Sequence, residues 1–140
     1  MLLLDTNVVS ELRKVSDGKA DSNVAAWEMK ANANDMFISV ITLYELEIGV
    51  LLIERRDPHQ GVIFRHWLND IVIPTFQHRL LPLDPTIAIR AAGLHDPDPK
   101  PLNDAYIAAT ALVHGMTVVT RNVADFQNMD VALLNPWEAL

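Results

Sequence analysis

Four acids stand where a hydrolytic site could be assembled. Asp5 follows Leu2-Leu3-Leu4, Glu45 lies within the run from Ile38 to Gly49, Asp104 opens an alanine-rich stretch, and Asp125 follows the polar turn Thr120-Arg121-Asn122. Each has an ordinary explanation when taken alone. Asp5 and Asp104 suit a helix start, where an anion gains roughly 0.3–1 kcal/mol from the dipole; Glu45 suits a solvated helix edge; Asp125 suits a turn. Four acids converging from separate segments would repel one another unless cations neutralised them. Oxygen-only ligation of that kind selects Mg²⁺ or Mn²⁺ over zinc or copper. The chain contains no cysteine, which removes thiolate zinc sites, disulfide frameworks and a cysteine nucleophile. His59, His66, His78, His95 and His114 show no zinc-type spacing and are assigned ordinary surface or core roles.

The elements that must position these acids alternate along the chain. Leu2 to Asp5 reads as a short buried strand; Thr6-Asn7 offer cap chemistry for a helix through Val8, Leu12 and Arg13. Ser22 is expected to cap an amphipathic helix carrying Val24, Trp27 and Ala31, and Met36 to Ser39 is a second strand. A long helix covers Ile41 to Arg56, and another follows Pro58 as far as Pro74. Arg79 to Asp84 reads as a strand, Pro85 to Leu94 as a helix, and Asn103 to His114 as a helix that Gly115 ends in the left-handed region. Thr117 to Thr120 and Val131 to Leu134 complete the strands. This order predicts an α/β fold, a three-layer α/β/α sandwich with a mostly parallel central sheet, in a single domain spanning 1–140. Such sheets bind ligands at the carboxyl ends of their strands, beside the point where strand order reverses.

Helical geometry refines two positions. On the Ile41 to Arg56 helix, Ile41, Tyr44, Ile48, Leu51 and Leu52 form one apolar stripe and Leu43, Leu46 and Val50 a second. Glu45 borders the first stripe in line with Thr42 and Gly49, two small residues that leave space for an ion or substrate. A helix apolar on two sides is buried or shared, and the Leu43-Leu46-Val50 stripe is expected to face a partner. Asp104 shares a face with Ile107, Ala108 and Ala111 and points inward, with Asn103 as the expected cap. Trp27 and Trp67 fall on apolar stripes and read as core or interface.

The net charge is −7, which argues against binding nucleic acid through a broad basic surface. If four of the 18 acids form one site, the remaining 14 face 11 bases, so much of the excess is local. Bound divalent cations would reverse that local repulsion for a phosphate substrate. Arg13, Lys14 and Arg121 are expected near the site's mouth, within reach of RNA phosphates. The apolar start ends at Asp5, too short for a signal peptide, and no stretch approaches the roughly 20 apolar residues of a membrane span, so a cytoplasmic protein is expected.

The chain resembles the PIN-domain ribonucleases, and within them the toxin subunits of VapBC and FitAB type. The likeness rests on Leu2-Leu3-Leu4-Asp5-Thr6-Asn7-Val8-Val9-Ser10-Glu11-Leu12, on Ile38 to Leu46 with Gly49, on Asn103-Asp104-Ala105-Tyr106-Ile107-Ala108-Ala109-Thr110-Ala111, on Thr120 to Phe126, and on Asn135-Pro136-Trp137. It covers nearly the whole chain, with the segments in the family's order. The resemblance implies that Asp5, Glu45, Asp104 and Asp125 form the family's acidic cluster, with Thr120 and Asn122, joined here by Thr6 and Asn7, as its polar shell. It further implies cleavage of RNA with Mg²⁺ or Mn²⁺, a homodimer, and a DNA-binding antitoxin whose tail presents a basic side chain to the acids. Asp5 and Asp104 are expected to be the principal metal ligands, completed by Glu45 and Asp125.

Three other readings compete. A phosphatase with Asp5 as nucleophile is disfavoured, because the haloacid dehalogenase pattern wants an Asp where Asn7 stands. A non-catalytic RNA- or protein-binding scaffold is disfavoured by the presence of all four acids. An RNA-processing nuclease outside a toxin–antitoxin pair has the same chemistry and a different setting.

Overall fold

The computed structural model describes residues 1–139. Five parallel strands form the sheet: β1 (Leu2–Leu4), β2 (Met36–Ser39), β3 (Leu80–Leu81), β4 (Thr117–Val119) and β5 (Leu133–Leu134), in the order β3-β2-β1-β4-β5. Leu3 is the pivot of the register, opposite Phe37 on one side and Val118 on the other. The chain therefore builds outward from β1 in one direction, then returns to lay β4 and β5 on the other. The reversal falls between β1 and β4, where this class of sheet opens a crevice.

Alternation along the strands sorts side chains into two cores. Leu4, Met36, Ile38 and Val119 face α1 (Thr6–Leu12), α2 (Ser22–Lys30), α3 (Val40–Arg56) and the α4 segment (Pro58–His66), meeting Val8, Val9, Trp27, Leu46 and Val50. Leu3 and Val118 face the opposite layer, where α7 (Leu102–His114) contributes Ile107, Ala108 and Ala111 and the 3₁₀ segment Val123–Met129 contributes Phe126 and Met129. Outside α7 lies α6 (Pro85–Gly93), through Ile87 and Ala91 against Ala109. The small alanines of α7 let two layers approach it closely. This is the expected α/β/α sandwich, with every observed pairing parallel.

Several local expectations are corrected. Asp21, not Ser22, caps α2, accepting from the amides of Asn23 and Val24 at 2.9 and 3.2 Å. Asp5 caps α1, so Thr6 and Asn7 lie inside the first turn with their side chains free for other partners. Position Pro101 caps α7 without a side-chain bond, leaving Asn103 within the helix. The edge strands are shorter than expected: β3 stops before Pro82, which has no N–H to give a ladder. After α4 the helical path continues through a π-helical stretch, Trp67–Val72, and passes Pro74 in the short α5 (Ile73–Thr75). Gly115 ends α7 at φ 66°, ψ 38°, as expected of a left-handed cap.

The largest correction concerns α3. Leu46 and Val50 are buried against the sheet and Leu43 packs beside them, so the stripe expected to face a partner is the helix's core face. Tyr44, Ile48, Leu51 and Leu52 are instead the exposed stripe. Two apolar stripes satisfy helical periodicity equally, and packing on the β1–β2 face decides between them. The outer edge of α3 also carries an ion-pair cluster: Arg65 of α4 donates to both oxygens of Glu47 (2.6 and 2.8 Å) and to Glu54 (2.8 Å). Gly61 permits this pairing of helices, since a Cβ there would stand 2.6 Å from Glu54 Cα.

Candidate active site

The site is built where two parallel strands end beside each other and three helices begin or pass. Asp5 leaves β1 at its carboxyl end and Thr120 leaves β4 beside it. Helices that follow or precede parallel strands run antiparallel to them, which brings the first turns of α1, α3 and α7 to this same rim. Thr6 and Asn7 come from α1, Glu45 from the second turn of α3, and Asn103 and Asp104 from the first turn of α7. Asp125 enters from the 3₁₀ segment after β4.

Asp5 is the fixed point. Its side chain is only 6% exposed and is held by three donors: the Thr6 amide on Oδ1 at 2.8 Å, and the Thr120 hydroxyl and Asn7 amide on Oδ2 at 2.8 and 3.2 Å. Thr120 is itself oriented by the backbone N–H of Asn122 at 3.0 Å, and Asn7 accepts the N–H of Arg121 at 3.1 Å. Burial pushes the Asp5 carboxyl above its usual range against these donors, and the charge of Glu45 adds to the rise. With Oδ2 doubly engaged, Oδ1 retains the free lone pair.

Glu45 and Asp104 differ in how they are held. The Thr6 hydroxyl donates to Glu45 Oε1 at 2.6 Å and the Asn103 amide to Oε2 at 3.4 Å. Among the described residues nothing donates to the Asp104 side chain. Its pKa is pushed up to about 6, first by burial and then by the charges of Asp5, Asp125 and Glu45. Asp5, Asp125 and Glu45 therefore all stand within electrostatic reach of Asp104. Asp125 lies at the exposed side.

The donor chemistry suits a hard divalent ion, since every candidate ligand is a carboxylate oxygen and Asp104 lacks any competing donor. Among the described residues, however, no three acidic or histidine side chains are already drawn close enough to hold a metal. Gripping an ion at this rim requires the side chains to close in.

Not every expected site residue lies here. Arg121 is at the rim, its guanidinium 5.3 Å from the Trp137 ring centre. Arg13 and Lys14 follow the last turn of α1, which carries them toward the amino end of the sheet, where Arg13 shares a groove with Met36 and Arg79, away from the acids. There Arg13 stacks on Phe64 at 4.4 Å and Lys14 pairs with Glu11 at 3.2 Å. Conversely, Asn103 touches the cluster without having been assigned to it. Its signal was its place beside Asp104, one step of about 100° around the helix, but an Asn at a helix start reads as a cap.

A buried aspartate at a strand-order reversal, with three further carboxylates and a shell of hydroxyls and amides at the same rim, defines an acidic candidate site on a parallel α/β sheet. The chain belongs to the PIN domain family, whose model matches residues 2–132. It is similar to Toxin FitB of Neisseria gonorrhoeae (strain ATCC 700825 / FA 1090), at 35% identity over 98% of this chain and 99% of the relative. It is equally similar, at 35% identity over 99% of both chains, to the VapC ribonuclease Y4jK of Sinorhizobium fredii (strain NBRC 101917 / NGR234). A solved structure of FitAB bound to an IR36 DNA fragment superposes with a TM-score of 0.89, at 33% identity over 100% of this chain and 98% of that one.

Proposed function

We propose that the protein is a divalent-cation-dependent endoribonuclease acting as the toxin of a toxin–antitoxin pair. The observation that carries the chemistry is the convergence of three other carboxylates on Asp104, a partly buried acid with no donor of its own. The names of the relatives, a toxin and a ribonuclease, support the biological class.

Asp104 and Asp5 Oδ1 would hold Mg²⁺ or Mn²⁺ as principal ligands, with Glu45 and Asp125 completing the shell directly or through water. When bound, such an ion neutralises charge on a phosphodiester and makes water a better nucleophile at neutral pH. The remaining work falls to the protein. Thr120, Asn7 and the Thr6 amide fix Asp5 in one orientation, so the closing-in that an ion requires falls to the other acids. Glu45, held from two sides, is placed to orient or accept a proton from an attacking water. Asn122 acts through its backbone N–H on Thr120. Arg121 at the rim is the basic side chain positioned to meet an RNA phosphate.

The exposed stripe Tyr44, Ile48, Leu51 and Leu52 is the apolar face of α3 left for association. We assign it to the homodimer that the family resemblance implies. A DNA-binding antitoxin is the second partner, consistent with the FitAB relative having been solved on DNA. Among the described residues no helix is long and apolar enough to cross a membrane.

The test is cleavage of single-stranded RNA by the purified chain with Mg²⁺ or Mn²⁺, with EDTA, and by Asp5→Asn. Cleavage by the wild type that EDTA and Asp5→Asn each abolish is expected. Undiminished cleavage in EDTA, or by a folded Asp5→Asn protein, would overturn the assignment.

A further inference from the structure

Glu45 is held beside other acids by donors from two helices. It stands close enough to Asp5 and Asp104 for each to feel its field. Its side chain has three rotatable bonds and is only half-buried, so repulsion alone would turn it out toward water. Two donors from two different helices oppose that movement. The Thr6 hydroxyl of α1 takes Oε1 at 2.6 Å, and the Asn103 amide of α7 takes Oε2 at 3.4 Å.

Asn103 has no other evident duty. It is the second residue of α7, the cap position belongs to Pro101, and no capping bond involves its side chain. The residue type suits the position. An amide donates a hydrogen bond while carrying no charge, so it draws a carboxylate inward without competing electrostatically with a cation. An aspartate there would add a further acid to the rim, and a lysine would fill the cation's role. Successive residues on α7 thus contribute opposite things: Asp104 an unsatisfied carboxylate, Asn103 a neutral donor for the carboxylate across the crevice.

We propose that Asn103 is a positioning residue that, paired with Thr6, clamps Glu45 at the acidic rim, where it would serve as a ligand of a divalent ion. The clamp ties the helix after β2 to the helix before β4 across the crevice. The proposal rests on the cation-dependent reading of this rim. Groups that orient a metal's ligands typically govern 10- to 100-fold in affinity, and the 3.4 Å separation places Asn103 at the low end of that range.

The test is Mn²⁺ binding to the full chain, read by electron paramagnetic resonance of free Mn²⁺ and by calorimetry. Wild type is compared with Asn103→Ala, Glu45→Ala, the double variant and Asn103→Ser, each first shown folded by its thermal transition. Asn103→Ala is expected to weaken Mn²⁺ binding about tenfold. In the Glu45→Ala background the same change should add less than about twofold, because its target is gone. Asn103→Ser, too short to reach Glu45, should match Asn103→Ala and guards against a folding defect. An Asn103→Ala protein that binds Mn²⁺ like wild type overturns the clamp, as does a tenfold loss that persists without Glu45. A folded wild type that binds no Mn²⁺ is a different failure, since it overturns the cation reading and takes the clamp with it.

Discussion

The two ends of the parallel sheet treat charge in opposite ways. At the amino end, Arg79 donates to the carbonyls of Ala33, Met36 and Thr75 and lies over Phe76, so a guanidinium is consumed in tying the entry to β2 to the end of α5. Lys14 is paired with Glu11 and Arg13 stacks on Phe64. An apolar groove of about 440 Å³, lined by Leu12, Trp67, Ile71 and Phe76 among others, lies between these side chains. At the carboxyl end, four acids share one rim, one of them with its pKa pushed up to about 6 and with no donor. Charge whose bonding capacity is filled stabilises a fold. Charge left unfilled and crowded by its own sign stores an unfavourable energy that a ligand can relieve.

If that contrast is right, one substitution at the carboxyl end should harm function while relieving the fold. Asp104→Asn removes a principal cation ligand at constant shape and is expected to lower metal-dependent RNA cleavage by about two orders of magnitude or more. Metal-free stability should move the other way. A carboxyl whose folded pKa is raised destabilises the native state when ionised, so the penalty is present at pH 7 and disappears as pH falls through about 6 toward the ordinary value near 3.8. Asp104→Asn in EDTA should therefore be more stable than wild type at pH 7, on the order of 1–2 kcal/mol since solvent screens a half-buried group. The gap should close by pH 4. Thermal melts of both proteins from pH 4 to 8 measure this, and a variant that is less stable than wild type at pH 7 would break the comparison.

Much of this rim was legible in the sequence because the relevant signals are local. Three leucines ending at Asp5 mark a strand end, and the alanines after Asp104 mark a helix that must lie on the sheet. The illegible parts depend on packing between segments. Which stripe of α3 is buried follows from the β1–β2 face that Leu46 and Val50 meet, and periodicity alone cannot rank two stripes. Arg13 and Lys14, expected near the mouth, lie away from it because seven residues of helix carry the chain about 10 Å along the sheet. Asn103 was hidden by a competing local role, since Asn at a helix start ordinarily caps it. The pairing of Glu47 and Glu54 has no local signal either, because their partner, Arg65, comes from another helix.

At the amino end the expected result is the mirror image. Arg79→Ala strips three carbonyls of a charged donor and exposes the Phe76 face, which should cost about 1–3 kcal/mol in urea or thermal unfolding. Cleavage per folded molecule should match wild type, since the acids lie at the other end of the strands. A large loss of specific activity in folded Arg79→Ala protein would show that the two ends are coupled.

The Arg65 cluster sharpens the same distinction at its weak limit. Its three charges are joined by short bonds, and Arg65 holds both Glu47 and Glu54 below the usual carboxylate range. All three side chains nevertheless stand at the surface, where solvent screens the pairing and ordering long side chains offsets the gain. Arg65→Ala should therefore lower Tm by no more than a few degrees, with the difference shrinking in high salt. The sign with pH is opposite to that at Asp104: carboxylates whose folded pKa is depressed stabilise the native state above their ordinary values and lose that contribution as pH falls through the depressed ones. The wild type's advantage over Arg65→Ala should thus be full at neutral pH and fade in acid, while its deficit against Asp104→Asn fades over a higher pH range. Two melting series run on one set of buffers would separate filled charge from unfilled charge by the direction of their slopes alone.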